Sequence, residues 1–454
     1  MWSSRALMAP FRARYPAWMA LRSLPAIALA LGSACCPALL GCSADDRGHS
    51  AASGGAPASG SSGGAKMSSG GSETTRGGSA SEGGAPARGG SASSGGAVSS
   101  TGGAAGGQAS AGATNSSDGP PAGYADGHST IPTAGQAEDT SEPTSVIGSG
   151  TPSSCTADAF VSAVAKGGII TFDCGPDPVT ITLSSPAKVF NDKGTKLVID
   201  GGDKVTLSGG GKSRLLYMAT CNKAQVYPPG PGDCNTNPGV ELVVQNLTFR
   251  DGSAKGIADA NNAGGGGAIY AQGGSLKVVN CRFFNNVCDE LGSDVGGGAI
   301  RKLDYLVAPG AGPNRPVWVV NSTFGGKPGL GNSCANGGAL SSIGVSWNII
   351  NSLFSENTAV GHGANSGDGG NGGAIYNDGN EIVLNIRGSL LENNKANEGG
   401  SAVFFVSNNK TGTIRLEDSI ARNNPRGTFE TPDLPGFYVI AKQPAELVDS
   451  QVLR

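Results

Sequence analysis

The residues able to do chemistry in this chain are few. Of three histidines, His49 and His128 stand in Gly/Ser-rich sequence, and His362 sits between two glycines in the Gly- and Asn-rich stretch from Ala359 to Asn371. A lone imidazole there is expected to be a solvated loop residue. The densest charged group is Asp289, Glu290, Asp294, Arg301, Lys302 and Asp304. Carboxylates of this kind hold a calcium ion when they converge, and a neighbouring Arg or Lys takes a proton from an acidic carbon. Scattered along a solvated loop they do neither, and the loop is the expected outcome. Gly367-Asp368-Gly-Gly-Asn371 has the composition of a calcium-binding glycine loop but occurs once, whereas such loops work as arrays. No metal site is therefore expected, and no cofactor unless calcium joins the charged group. Rings offer a second chemistry. Trp318, Tyr270 and Tyr376, with Arg301 among them, are the groups that would stack on and hydrogen-bond to sugar rings.

A repeat positions these groups. From about Val240 to Asn424 an alternating apolar strand returns, ending in Asn246, Asn280, Asn321, Asn351, Gly388 and Asp418. Four residues before each of these markers stand Leu242, Leu276, Val317, Trp347, Leu384 and Ile414; two before stand Val244, Val278, Val319, Ile349, Ile386 and Leu416. The positions between are mixed, so each copy is a strand with one buried and one wet face. Asn, Gly and Asp share a tolerance for the left-handed backbone region, so each marker predicts a bend. Past the bend the core resumes at Phe249, Phe283, Phe324, Phe354, Leu391 and Ala421. A second motif alternates with the first: Gly-Gly-Ala-Ile at 266–269, 297–300 and 372–375, Gly-Gly-Ala-Leu at 337–340 and Gly-Gly-Ser-Ala-Val at 399–403. Marker spacings of 34, 41, 30, 37 and 30 vary while the core offsets do not, which places the variation in loops. The expectation is an all-β solenoid of stacked turns. In that alignment Trp318 lies outward between Lys277 and Asn348, and Tyr270, Arg301, Ser341, Tyr376 and Phe404 form an outward column, one turn or ~4.8 Å apart. Asn246, Asn280, Asn321 and Asn351 are expected to stack as an amide ladder, with the phenylalanines stacked inside.

Gly-Gly-Ala-Ile followed by Phe-x-x-Asn, as in Phe283 to Asn286 and Phe354 to Asn357, resembles the repeat of the polymorphic outer membrane proteins. Gly168-Ile-Ile-Thr-Phe-Asp-Cys174, Leu197-Val-Ile-Asp-Gly-Gly202 and Asn246-Leu-Thr-Phe249 resemble the first turns of right-handed parallel β-helix proteins with the pectin-lyase fold. The resemblance covers roughly residues 155–424 and implies a right-handed parallel β-helix. That fold carries lyases, hydrolases, adhesins and stalks, so it leaves the activity open. His362 in Gly361-His362-Gly363 matches one element of polygalacturonase-type hydrolases, but their closely spaced aspartates and downstream Arg-x-Lys are not recognisable here. Nothing after Pro425 resembles the strands of an outer-membrane barrel.

Residues 1–41 carry Arg5, Arg12, Arg14 and Arg22 and no acid, followed by a short apolar run broken by two prolines, the pattern of a secretion signal. Leu39-Leu40-Gly41-Cys42 resembles a bacterial lipobox, which implies lipidation of Cys42 and an outer-membrane lipoprotein at the cell surface. Residues 42–153, almost all Gly, Ser, Ala, Thr and Pro, are expected to form a disordered tether, leaving 154–454 as the β-helix domain. That domain is expected to open with an amphipathic capping helix at 155–166, halted by Gly167-Gly168, and strands near 169–173, 179–183, 196–200 and 205–207. Without the four leader arginines the chain has 28 basic and 35 acidic residues, a formal charge of −7, which argues against a nucleic-acid partner. Cysteine spacing suits an oxidising compartment, with disulfides expected for Cys155 with Cys174, Cys221 with Cys234 and Cys288 with Cys334, and Cys281 left as a buried thiol. The expected function is a surface adhesin or polysaccharide-binding module, partnered by a glycan or a protein. A calcium-dependent polysaccharide lyase is the alternative, and a passive stalk the third reading.

Overall fold

A computed structural model describes residues 119–220, 239–257, 264–304 and 315–454. Nearly all of it is parallel β-structure wound as a solenoid, in sheets of seventeen, eight and three strands. Each turn brings a strand ending at a marker, such as Val317–Val320, onto its counterparts Ser275–Val279 and Trp347–Ile350 in parallel register. The bends follow from the markers: Asn246, Asn280, Asn321, Asn351, Gly388 and Asp418 all have φ between 45° and 56°. Beyond the bend, Phe249, Phe283, Phe324 and Phe354 stack with ring centroids 4.9, 4.6 and 4.6 Å apart and no solvent exposure. The glycine motif has a steric cause. A Cβ on Gly298 would lie 2.3 Å from the Gly338 carbonyl oxygen, and one on Gly338 would lie 2.3 Å from that of Gly373, so successive turns touch backbone to backbone there.

Two polar columns lock the turns together. Ser322, Ser352, Ser389, Ser419 and Ser450 each accept, through Oγ, the backbone N–H one residue past the preceding marker. The complete amide ladder is a different one from that expected. Asn286, Asn332, Asn357, Asn394 and Asn424 bond side chain to side chain at 2.9–3.1 Å, all buried. In the marker column Asn280 donates to Asn246 (3.0 Å) and Asn321 to Asn280 (3.2 Å), but Asn351 leaves the ladder and binds Ser129 instead. Ser129 belongs to a segment assigned above to the tether.

That segment corrects the domain boundary. Residues 119–144 run along the solenoid as a strap. Pro121 and Gly123 accept from Thr323, Tyr124 N–H donates to the Asn351 carbonyl, and Ser129 exchanges two bonds with the Asn351 amide. Farther on, Glu138 meets Gln245, Lys277 and Lys196, Thr140 donates to Asp200, and Thr144 bonds Ile169. The strand Ser145–Gly148 then pairs with Gly168–Asp173. Outward-facing Val279, Val320 and Ile350 form an apolar stripe, and Ile131 packs on it; this burial is what a Gly/Ser/Pro composition concealed. Helix Ala157–Lys166 is held at its start by Thr156 Oγ1 accepting from Ala159 and ends at Gly167 (φ 78°). It packs against Ala187–Val189 and Ser145–Gly148. The strands expected at 196–200 and 205–207 are one strand, Lys196–Ser208, with a register shift between Asp200 and Val205. Cys155 is bonded to Cys174 and Cys288 to Cys334, and Cys281 is a buried free thiol in the serine column. Cys42, Cys221 and Cys234 lie outside the described residues.

Candidate functional site

The outward face of the eight-stranded sheet carries the expected column. Register places Tyr217, Tyr270, Arg301, Ser341, Tyr376, Phe404 and Tyr438 in line on successive turns. Tyr217 stacks on Tyr270 at 5.5 Å, Tyr376 on Phe404 at 5.0 Å and Phe404 on Tyr438 at 5.2 Å. It is not an open platform. Tyr270 is 0%, Arg301 1%, Tyr376 3% and Phe404 3% exposed. The covers over the middle of the column are the turn-connecting loops. Arg301 Nη2 donates to the Asp294 carbonyl and Nη1 to Ser341 Oγ, while a Cβ on Gly296 would lie 2.4 Å from that same Oγ. At the far end Phe429 meets the Tyr438 ring edge-on at 4.8 Å. Over Tyr270 the cover is a side chain, the Arg214 guanidinium, 4.7 Å from the ring centroid and donating to the Gly265 and Gly266 carbonyls, whereas Arg301 is met by the backbone of the loop at Asp294.

The charged group is dispersed by the strand's alternation. Arg301 faces outward, whereas Lys302, in register with Ala271 and Ser342, points into the core and is fully buried. Its ammonium donates to the Leu303 carbonyl at 3.1 Å and lies 3.4 Å from Asp304, whose carboxylate takes two contacts from Arg315 at 3.0–3.1 Å. Burial pulls the Lys302 pKa down to about 8, against the pull of Asp304 in the other direction. Asp289 accepts from Gly256 N–H, and Glu290 forms an exposed pair with Lys255 at 2.9 Å. Among the described residues no three His, Cys, Asp or Glu side chains are grouped so as to hold a metal ion. His362 is exposed, with Nε2 3.3 Å from the Asn397 amide. Asp368 contributes its carbonyl to Gly292 N–H.

One acid in this region is perturbed. Asp378 Oδ1 accepts from Asn408 at 2.8 Å and Oδ2 lies 3.5 Å from the Tyr376 hydroxyl. Burial, with Asp294 nearby, pushes the Asp378 pKa up to about 6, and burial with the same two carboxylates raises Tyr376.

Trp318 has a different setting. It sits on the long sheet, half-buried, at the head of a column formed with Asn348, Asn385, Arg415 and Glu446. Asn385 donates to Asn348 Oδ1 at 3.0 Å, and Arg415 pairs with Glu446 and with Glu417 at 3.0 Å. The strap borders this column: a Cβ on Gly135 would lie 3.0 Å from Trp318 Cε3. Lys277, expected beside Trp318 as an outward neighbour, is only 4% exposed because Glu138 of the strap pairs with it. Burial pushes Glu138 up in pKa, but hydrogen bonds from Lys277 and Lys196 outweigh that and hold it below its ordinary value. The strap went unrecognised in the sequence, although apolar Val279, Val320 and Ile350 at solvent-facing positions were a signal that something covers them.

No family model, no curated protein and no solved structure matches this chain. Among the described residues no helix is long and apolar enough to cross a membrane.

Proposed function

We propose that this chain is a surface lipoprotein, anchored through Cys42, whose head is a right-handed parallel β-helix of pectin-lyase type with outer-membrane-protein-like repeats and a capping helix at its first turn. In this reading the head binds polysaccharide along Trp318, Asn348, Asn385 and Arg415. The observation that carries it is this column itself: an indole that also packs on the Val279–Val320–Ile350 stripe, two amides and a guanidinium, each half-exposed, on successive turns of one sheet. Rings, amides and charges at ~4.8 Å intervals offer stacking and directional hydrogen bonds to an extended chain of sugars. The rigid turns hold these groups in place before a ligand arrives, which lowers the ordering cost of binding. Cleavage has less support, since Arg301 and Lys302 point to opposite sides of their strand and both are buried.

The test uses the full chain carrying Cys42→Ser, to avoid lipid. It should be retained on acidic or neutral polysaccharides, with or without chelator, and release no unsaturated, ultraviolet-absorbing ends. Trp318→Ala and Asn385→Ala should each weaken retention by about 10-fold, equivalent to ~1.4 kcal/mol. Chelator-sensitive release of such ends would replace this reading with a lyase. Retention on no glycan across a broad panel would sink it.

A further inference from the structure

We propose that the column of the long sheet beneath the strap is a peptide-binding track, filled here by the chain's own strap and open to an extended segment of a partner protein with the same chemistry: an aliphatic side chain and, seven residues further on, a carboxylate. Register sets Asp200, Gln245, Val279, Val320 and Ile350 in line on successive turns, with Asn351 next in the chain. The strap is laid along that line in order. Thr140 donates to Asp200 at 2.8 Å, Glu138 lies on Gln245, Ile131 on the three apolar residues and Ser129 on Asn351. An outward apolar stripe between polar groups is the mark of an interaction surface.

What the track grips is peptide backbone. The Gln245 amide brackets Glu138, accepting its N–H at 2.8 Å and donating to its carbonyl at 3.0 Å, and the Asn351 amide brackets Ser129 in the same way at 2.9 and 3.0 Å. Every residue of an extended polypeptide offers that N–H and C=O pair, and a chain of sugar hydroxyls does not. Side chains then set the selectivity, as in other peptide grooves: the stripe takes Ile131, and the Glu138 carboxylate meets Lys277 and, at 2.9 Å, Lys196. The strap is held loosely enough to exchange. No residue from 119 to 144 belongs to a strand, and only Gly119, Ser129 and Gly135 among them are buried. An element with so little burial opens at far lower cost than the turns beneath it, so a competing segment can take its place.

The probe is a fluorescent synthetic peptide with the sequence of residues 119–144, added to the full chain carrying Cys42→Ser. Where that chain also carries Ile131→Ser and Glu138→Gln, which loosen its own strap, the peptide should bind with a Kd of about 1–100 μM. Without them the attached strap competes, and binding should be at least ~10-fold weaker. Ser129→Pro removes the N–H that Asn351 accepts, so it loosens the strap by a second route and should give the same gain. In the peptide, Ile131→Ser and Glu138→Gln should each lower affinity about 10-fold, as should Gln245→Ala in the chain, and a scrambled peptide should not bind. No binding to either loosened chain, or binding indifferent to both peptide substitutions, overturns the proposal. A polysaccharide that frees the strap where the peptide binds neither chain would assign the track to glycan instead.

Discussion

Asn332→Ala tests which amide ladder holds the turns together. Asn332 is fully buried. Its Oδ1 accepts from Asn286 N–H (3.0 Å) and Asn286 Nδ2 (2.9 Å), and its Nδ2 donates to the Phe283 carbonyl (3.0 Å) and to Asn357 Oδ1 (2.9 Å). Truncation removes all four. Asn286 Nδ2 retains the Phe249 carbonyl and Asn357 Oδ1 retains Asn332 N–H, but Asn286 N–H loses its acceptor. Four bonds at about 1 kcal/mol each, with one buried donor orphaned at a further ~1–3 kcal/mol, come to roughly 5–7 kcal/mol. Asn332 has no positive φ, so alanine brings no backbone strain of its own.

The matched control is Asn321→Gly in the marker column. Asn321 makes one ladder donation at 3.2 Å from a half-buried position, where water can replace it. Glycine keeps the φ of 45° available, so the expected cost is about 1 kcal/mol, mostly chain entropy. Urea unfolding of the full chain with Cys42→Ser, followed by circular dichroism, measures both. Solenoids can unfold in segments, so midpoints are compared only where the slopes agree. If the two variants fall within about 1 kcal/mol of each other, the interior ladder is not what joins the turns.

Two pH dependences follow from named carboxylates. Glu138 is depressed below its ordinary 4.5, so its contribution is present above that value and lost as pH falls through the folded-state pKa. Acidification should release the strap and expose the Val279–Val320–Ile350 stripe to a hydrophobic dye, and Glu138→Gln should remove the acid-dependent part; a response unchanged by that variant would place the titration elsewhere. Asp378 has the opposite sign: raised from 3.8 to about 6, it gives stability that is complete below 3.8 and lost as pH rises through about 6, roughly 3 kcal/mol. Asp378→Asn should flatten unfolding free energy over that window, and an unchanged slope would show that this half-buried acid ionises freely.

The turn-by-turn repeat was legible because its causes are local. Apolar alternation sets which side of a strand is buried, and a left-handed bend restricts the residue type at one position, so Asn246 to Asp418 and the phenylalanines fell into place from spacing alone. The orientation of Lys302 was equally available: it stands two residues past Ile300, on the same side of the strand, and alternation puts it inside. What spacing does not contain is the cover over each outward face. Tyr270, Arg301 and Tyr376 occupy outward positions, as the alignment required, yet they are buried, Tyr270 beneath Arg214 and Arg301 against the Asp294 loop, neither of which belongs to the periodic pattern. The interior ladder was missed for a related reason: the marker Asn is there for its φ and bonds its neighbours only in part, whereas the Asn that ends Phe-x-x-Asn at 286 and 357 is there for its amide, and both look alike in a sequence.

These covers decide where a partner can reach the solenoid. The strap crosses the long sheet from Ile169 to Asn351, and the loops close over much of the eight-stranded sheet. Beyond Asn351 the long sheet carries Asn385, Arg387, Arg415 and Glu417, all half-exposed. Here the outward positions also change in kind: the column Val279, Val320, Ile350 continues as Arg387 and Glu417, paired at 3.3 Å. An apolar stripe that turns charged where its cover ends is what burial under the strap demands of the chain, since an uncovered apolar stripe would invite aggregation. The outer part of the proposed glycan column, Asn385 and Arg415, therefore falls on the turns that the strap leaves open, while Trp318 stands at the strap's edge beside Gly135.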